Sequence, residues 1–189
     1  MDVLTHAIEA YTNPGLDDFI EVIARGAIEG LIRWLPESCG NPTPTAREKV
    51  HYYQCMAGVA FANVGLGMVH GIAHSFGAMY NMAHGLANAV ILPYVMEYNR
   101  RDETARQKLD RLSAYTGDNI IKQVWDLQQN LGIARCFKDT GLDEGDFKRD
   151  FDLLVEKSML GATTLNPVKM TAPEMEKMVR MVYYGTAGD

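Results

Sequence analysis

Apolar residues recur every three or four positions along most of the chain, the spacing of a single helix face. Asp2 to Tyr11 reads as a short opening helix, broken at Asn13-Pro14-Gly15. A second helix from Asp17 is marked by Ile20, Ile23, Ala27, Leu31 and Trp34, with Pro36 as its expected stop. Asn41 to Pro44 is turn-rich, and Thr45 with Glu48 has capping-box spacing, so a long helix is expected to start there. Leu109, Leu112 and Tyr115 supply the expected inner side of a later helix, and Asp118 is the expected cap of one running through Val124 and Leu127. Cys136 to Gly145 reads as loop. Phe147, Phe151, Leu154, Val155 and Met159 mark a further helix, interrupted at Asn166-Pro167. Thr171 and Glu174 cap the last one, Met175 to about Tyr184, and Gly185 stops it. Strand-like alternation is nearly absent, so the expected fold is all-α.

Charge is distributed unevenly. Between Tyr52 and Asn99 the only Asp, Glu, Lys or Arg is Glu97, which predicts a largely buried segment. The same stretch is rich in glycine, and Gly65 and Gly67 are placed to mark a bend. Arg100 to Arg111, by contrast, holds eight charged residues among twelve, a solvated face.

Composition then excludes several classes. A chain of 189 residues, 47% apolar and 22% charged, can bury one substantial core and is expected to form one domain. The longest apolar run, Ala87 to Met96, contains Asn88 and Pro93 and falls short of the ~18 residues of a membrane helix, so no membrane partner is expected. Met1 leads directly into Asp2, with no basic and apolar leader, so no signal peptide is expected. Cys39, Cys55 and Cys136 form neither a disulfide framework nor a CxxC pair, which favours reducing, cytoplasmic surroundings. A net charge of −6 without a basic stripe argues against nucleic acid as a partner.

The histidines carry the candidate chemistry. Asp2 and His6 are four apart, as are His70 and His74, and His84 follows just before Gly85. Positions i and i+4 share a helix face, so each pair can aim two donor atoms at a common point. Three histidines in the least charged part of the chain must each find a partner or cost desolvation energy. The spacing is that of a divalent metal site, with mixed N and O donors that suit zinc or ferrous iron, and it leaves open which histidines are ligands. The HExxH protease pattern is absent, since Gly71 follows His70.

Longer motifs sharpen this reading. Asp2 to Tyr11, DVLTHAIEAY, resembles the DALTHAIEAY segment of the iron-containing (group III) alcohol dehydrogenases. Gly65 to Asn99, GLGMVHGIAHSFGAMYNMAHGLANAVILPYVMEYN, resembles that family's long second signature, and Ala162 to Pro167 resembles its late TNP segment. The resemblance covers essentially the whole chain. It implies a helical, bundle-like domain over residues 1–189, corresponding to the family's C-terminal half, without the N-terminal nucleotide-binding domain. It further implies Asp2, His6, His70 and His84 as metal ligands, holding Fe²⁺ or in some members Zn²⁺. His74 takes the place of the histidine beside nicotinamide and substrate, with a part in proton relay. The implied activity is interconversion of small alcohols and aldehydes or ketones with NAD(H) or NADP(H), in a homo-oligomer, the metal acting as a Lewis acid toward alkoxide or carbonyl. Phe76, Met79 and Tyr80 are expected near the pocket.

Without its cofactor domain such a chain is expected to be inactive alone. The alternative is a non-catalytic metal-binding module, or one half of a split enzyme. A metal-dependent lyase on the same ligands would need an acid–base carboxylate, and only Glu9 lies near a ligand in sequence.

Overall fold

The computed structural model describes residues 1–185, in which helices account for all regular structure and no strand is present. The order is α1 (Asp2–Thr12), α2 (Asp18–Gly40), α3 (Pro44–Val64), α4 (Met68–Tyr80), α5 (His84–Asn99), α6 (Glu103–Thr116), α7 (Ile120–Asn130), α8 (Glu144–Ser158) and α9 (Ala172–Tyr184). Short 3-10 turns at Lys138–Thr140 and Gly161–Leu165 flank α8.

Two helices are enclosed by the rest. α1 packs against α2, α3, α5 and α6, burying Leu4, Ala7, Ile8, Ala10 and Tyr11. α5 is buried on all sides from Ala87 to Met96, as a helix apolar around its whole circumference must be. α4 lies between α5, α8 and the Gly161–Leu165 turn. The same core extends between α8 and α9, where Phe147 stacks on Tyr183 with ring centroids 3.8 Å apart.

Helix starts are set by local side chains. Asp17, Asp102 and Asp143 each accept a hydrogen bond from the backbone N–H three residues on, at 2.8, 2.8 and 3.0 Å. Glu174 Oε2 accepts from the Thr171 N–H at 2.9 Å and from its hydroxyl at 2.7 Å, as the Thr171/Glu174 spacing predicts.

Several sequence expectations are corrected. α2 runs through Pro36 to Gly40, because Leu35 and Ser38 are buried and hold the final turn helical while the proline ring faces solvent. The cap of α3 is Thr43 rather than Thr45: its hydroxyl oxygen accepts from the Ala46 N–H at 3.1 Å, and Pro44 takes the first helical position. Asn119 rather than Asp118 caps α7, accepting from the Lys122 N–H at 2.9 Å, while Asp118 pairs with the Lys122 ammonium. Tyr115 is exposed beneath the Arg25 guanidinium instead of lining the core. The segment read as loop from Cys136 contains the Lys138–Thr140 turn, and α8 has begun by Glu144. Asn166-Pro167 interrupts no helix, since α8 has already ended at Ser158.

The charge-poor stretch divides in two. α4 and α5 are mostly buried, but Tyr52 and Val59 on α3 are exposed, so lack of charge there does not mean burial. The bend expected near Gly65 is present: α3 and α4 meet at 101°. Gly65 has φ +86°, and any side chain there would strike Leu165. No single helix among the described residues is long and apolar enough to cross a membrane.

Candidate metal centre

Three helices converge on one point. α1 carries Asp2, His6 and Glu9 on one face, α4 carries His70 and His74 one turn apart, and α5 begins at His84 with Asn88 one turn further on. Between α4 and α5 the chain passes through Asn81 in the left-handed conformation, φ 49° and ψ 37°, which asparagine tolerates better than most residues.

One ligand-type atom each from Asp2, His70 and His84 lies within 4.8 Å of the other two. Asp2 Oδ1 is 3.5 Å from His84 Nε2 and 4.0 Å from His70 Nε2. His6 flanks this group. Its Nδ1–H donates to the Asp2 carbonyl oxygen at 2.9 Å, and its ring lies 4.5 Å from that of His70. His74 stands outside the group, its ring stacked on His84 at 5.2 Å with an interplanar angle of 18°. Burial, followed by the nearby His70, holds the His6 imidazole below its ordinary value. Partial burial and then His70 and His84 do the same for His74. Beside the group a cavity of about 230 Å³ opens between Asp2, His6, Gln54, Gly58 and Phe61.

Two residues that sequence spacing does not single out as partners complete the arrangement. Glu9 is buried, and its carboxylate accepts from His70 Nδ1–H at 2.6 Å, the Gly67 N–H at 2.9 Å and the Val69 N–H at 2.6 Å. Both its oxygens are engaged, so it is not the free acid–base group that a lyase would need. Asn88 is fully buried, and its amide nitrogen lies 2.6 Å from Asp2 Oδ1, 3.1 Å from His70 Nε2 and 3.0 Å from His84 Nε2. The sequence marks Glu9 only as the carboxylate three residues after His6, and the only sequence signal for Asn88 is its i+4 spacing from His84.

The late TNP-like segment supports α4 from the other side. Asn166 Oδ1 accepts from the Met68 N–H at 3.4 Å, while Asn166 and Asn99 exchange side-chain hydrogen bonds at 2.7 and 3.2 Å. Thr163 reaches α4 at Gly71, where a methyl group would sit 1.9 Å from its hydroxyl oxygen. That contact falls between His70 and His74. Phe76, Met79 and Tyr80 are not brought to the histidines. Phe76 is buried against Phe137 at 4.0 Å, and Met79 and Tyr80 line a separate cleft whose walls include no histidine.

The donor set suits a cation. With His70 Nδ1–H given to Glu9, its Nε2 presents a lone pair toward Asp2 and His84. Asp2 Oδ1 and His70 Nε2 then face the Asn88 amide nitrogen as acceptors, with His84 Nε2 beside them at 3.0 Å, and Asn88 Oδ1 is buried without a partner. A centre rich in acceptors and short of donors fits a divalent ion better than it fits a closed hydrogen-bond network.

Residues 1–183 match the Fe-containing alcohol dehydrogenase family, C-terminal. The chain is 38% identical to the NADPH-dependent butanol dehydrogenase of Clostridium saccharobutylicum, over all of this chain and 51% of that protein. It is 32% identical to the bifunctional aldehyde-alcohol dehydrogenase of Escherichia coli, over 98% of this chain and 24% of that protein. The iron-containing alcohol dehydrogenase from Thermococcus thioreducens superposes with a TM-score of 0.90 at 35% identity, covering 97% of this chain and 49% of that one. The chain therefore spans about half the length, or less, of the curated relatives it matches. The all-helical fold, the converging acidic and histidine side chains and these matches agree: this chain belongs to the iron-containing alcohol dehydrogenase family, and corresponds to its C-terminal part.

Proposed function

We propose that this chain is the metal- and substrate-binding helical part of an alcohol dehydrogenase that interconverts small alcohols and aldehydes or ketones with NAD(H) or NADP(H). The observation that carries the reading is the convergence of Asp2, His70 and His84 on an acceptor-rich centre, in a chain of this family. Asp2, His6, His70 and His84 would hold the metal, and we favour iron, the ion in the family's name. When bound, the ion supplies Lewis acidity toward the substrate oxygen. His74 is exposed at the edge of the site and held toward its neutral form, so it can accept the hydroxyl proton of an alcohol and pass it to water. Asp2 contributes a negative charge, which offsets the cation and keeps the neutral imidazoles in register with it. Nicotinamide binding falls to a nucleotide-binding domain that would make up the remaining length of the relatives, so the chain alone is expected to show no steady turnover. Iron in place of zinc, a homo-oligomeric state and a cytoplasmic location belong to the same proposal.

The test is metal content per chain by mass spectrometry after anaerobic loading with Fe²⁺ and desalting. About one equivalent in the wild type and almost none in a His70→Ala/His84→Ala variant is the expected result. Equal metal in both chains would defeat the assignment. Alcohol-dependent NADH or NADPH formation is expected when a nucleotide-binding domain of this family is supplied to the metal-loaded chain; turnover by the chain alone would overturn the expectation that it needs that domain.

A further inference from the structure

Glu9 does more than close a helix end. A carboxylate that merely capped α4 would need only the Gly67 and Val69 N–H groups, and Asn166 already offers an oxygen to the one between them, Met68. The short third contact, 2.6 Å to Nδ1 of His70, is to a side chain and not to the helix backbone. His70 is itself buried, so its ring cannot turn to water for a partner. We propose that Glu9 is a positioning residue for His70. Its carboxylate fixes the ring plane and the Nδ1–H tautomer, so that Nε2 presents its lone pair to the point shared with Asp2 and His84. By binding the start of α4 from α1, the same carboxylate makes the ligands on those two helices move as one body.

The geometry explains why a carboxylate stands here and an amide would not serve. All three groups facing Glu9 are donors. In Glu9→Gln one end of the side chain becomes an NH₂ group and must face a donor. Oε2 serves both His70 and the Gly67 N–H, while Oε1 serves the Val69 N–H. An NH₂ group at the Oε1 position opposes the shorter backbone contact, 2.6 against 2.9 Å, and gains no acceptor. At the Oε2 position it opposes only the longer one and can donate to His70, which makes Nδ1 an acceptor and moves the ring proton to Nε2, where it blocks the lone pair. The consequence for metal binding rests on the proposed metal centre, whereas the tautomer does not.

The experiment uses the full chain, ¹⁵N-labelled and metal-free, with the His70 tautomer read from long-range ¹H–¹⁵N correlations at neutral pH. Cobalt(II) then serves as the metal probe, with its visible absorption reporting geometry and chelator competition reporting affinity. The wild type is expected to show the Nδ1–H form. Glu9→Gln should shift His70 toward Nε2–H, alter the cobalt spectrum and weaken cobalt binding about ten- to hundredfold. Asn166→Ala removes the other oxygen at the start of α4 without touching His70, and should leave cobalt affinity within about threefold of wild type despite any loss of stability. An Nε2–H tautomer in the wild type overturns the proposal. So does a Glu9→Gln chain that binds cobalt like the wild type, or an Asn166→Ala chain that loses as much affinity as Glu9→Gln. Should Glu9→Gln fail to fold, the wild-type tautomer decides alone. A wild type with the Nδ1–H form but no cobalt uptake supports Glu9's hold on the ring and defeats the metal reading instead.

Discussion

At the level of a single residue, Asn88 is a buried amide beside more possible acceptors than its two N–H groups can serve. Asn88 Nδ2 touches Asp2, His70 and His84, and its own carbonyl oxygen has no partner. In Asn88→Ala those acceptors lose their shared donor, which should destabilise the metal-free chain by about 1–3 kcal/mol. The difference should shrink once metal is bound, and calorimetry with and without Fe²⁺ measures both. Glu144 offers a surface counterpart. Hydrogen bonds from Lys148 and then Lys138 hold its carboxyl at about 2. Because the folded value lies below the ordinary 4.5, its contribution to stability is present above pH 4.5 and fades as the pH falls toward 2. A carbon-detected titration should place the midpoint near 2, and Lys148→Ala should move it back toward 4.5. At this scale the histidines and Asp2 were legible, because i,i+4 spacing and charge-poor surroundings mark them. The pairing of Glu9 with His70 was not: the two lie 61 positions apart, and no local pattern joins them.

Among the elements, α4 depends most on the rest of the chain. Its N-cap, Gly67, has no side chain to offer, so the first turn is satisfied by Glu9 from α1 and by Asn166 from the segment after α8. Gly71 lets Thr163 reach the helix between two histidines. Gly71→Ala would push that segment away, because the clash is with Thr163 Cβ and backbone N at 3.0 Å as well as with its hydroxyl. A loss of about 1–3 kcal/mol is expected from thermal or denaturant unfolding, with faster amide exchange at the start of α4. Helix existence was readable from period and caps, as α1, the Thr171 start of α9 and the bend at Gly65 show. Helix ends were less so. Pro36 is carried inside α2 by the burial of Leu35 and Ser38, a tertiary effect that a local stop rule does not contain. The Thr43 and Asn119 caps each lie within two residues of the expected one, where several polar side chains compete.

Among the described residues the core is continuous and reaches an aromatic stack in which Phe147 of α8 lies flat on Tyr183 of α9. Phe147→Ala should cost about 3–5 kcal/mol, visible as a lowered melting temperature without loss of metal selectivity. The all-α class was legible from the absence of alternation; the exposed apolar side of α3 was not, because lack of charge is the same signal for a buried helix and an uncovered one. The convergence of α1, α4 and α5 has a last consequence. Asp2 and His84 belong to helices separated by most of the first half of the chain, so an ion shared between them would be a reversible cross-link closing a very long loop. Unfolding would then have to release it. The melting temperature should climb with the logarithm of free metal once the site is saturated, gaining about 2.7 kcal/mol at a hundredfold excess over Kd, and a chelator should erase the gain. The ion would be a fastener of the fold as much as a reagent.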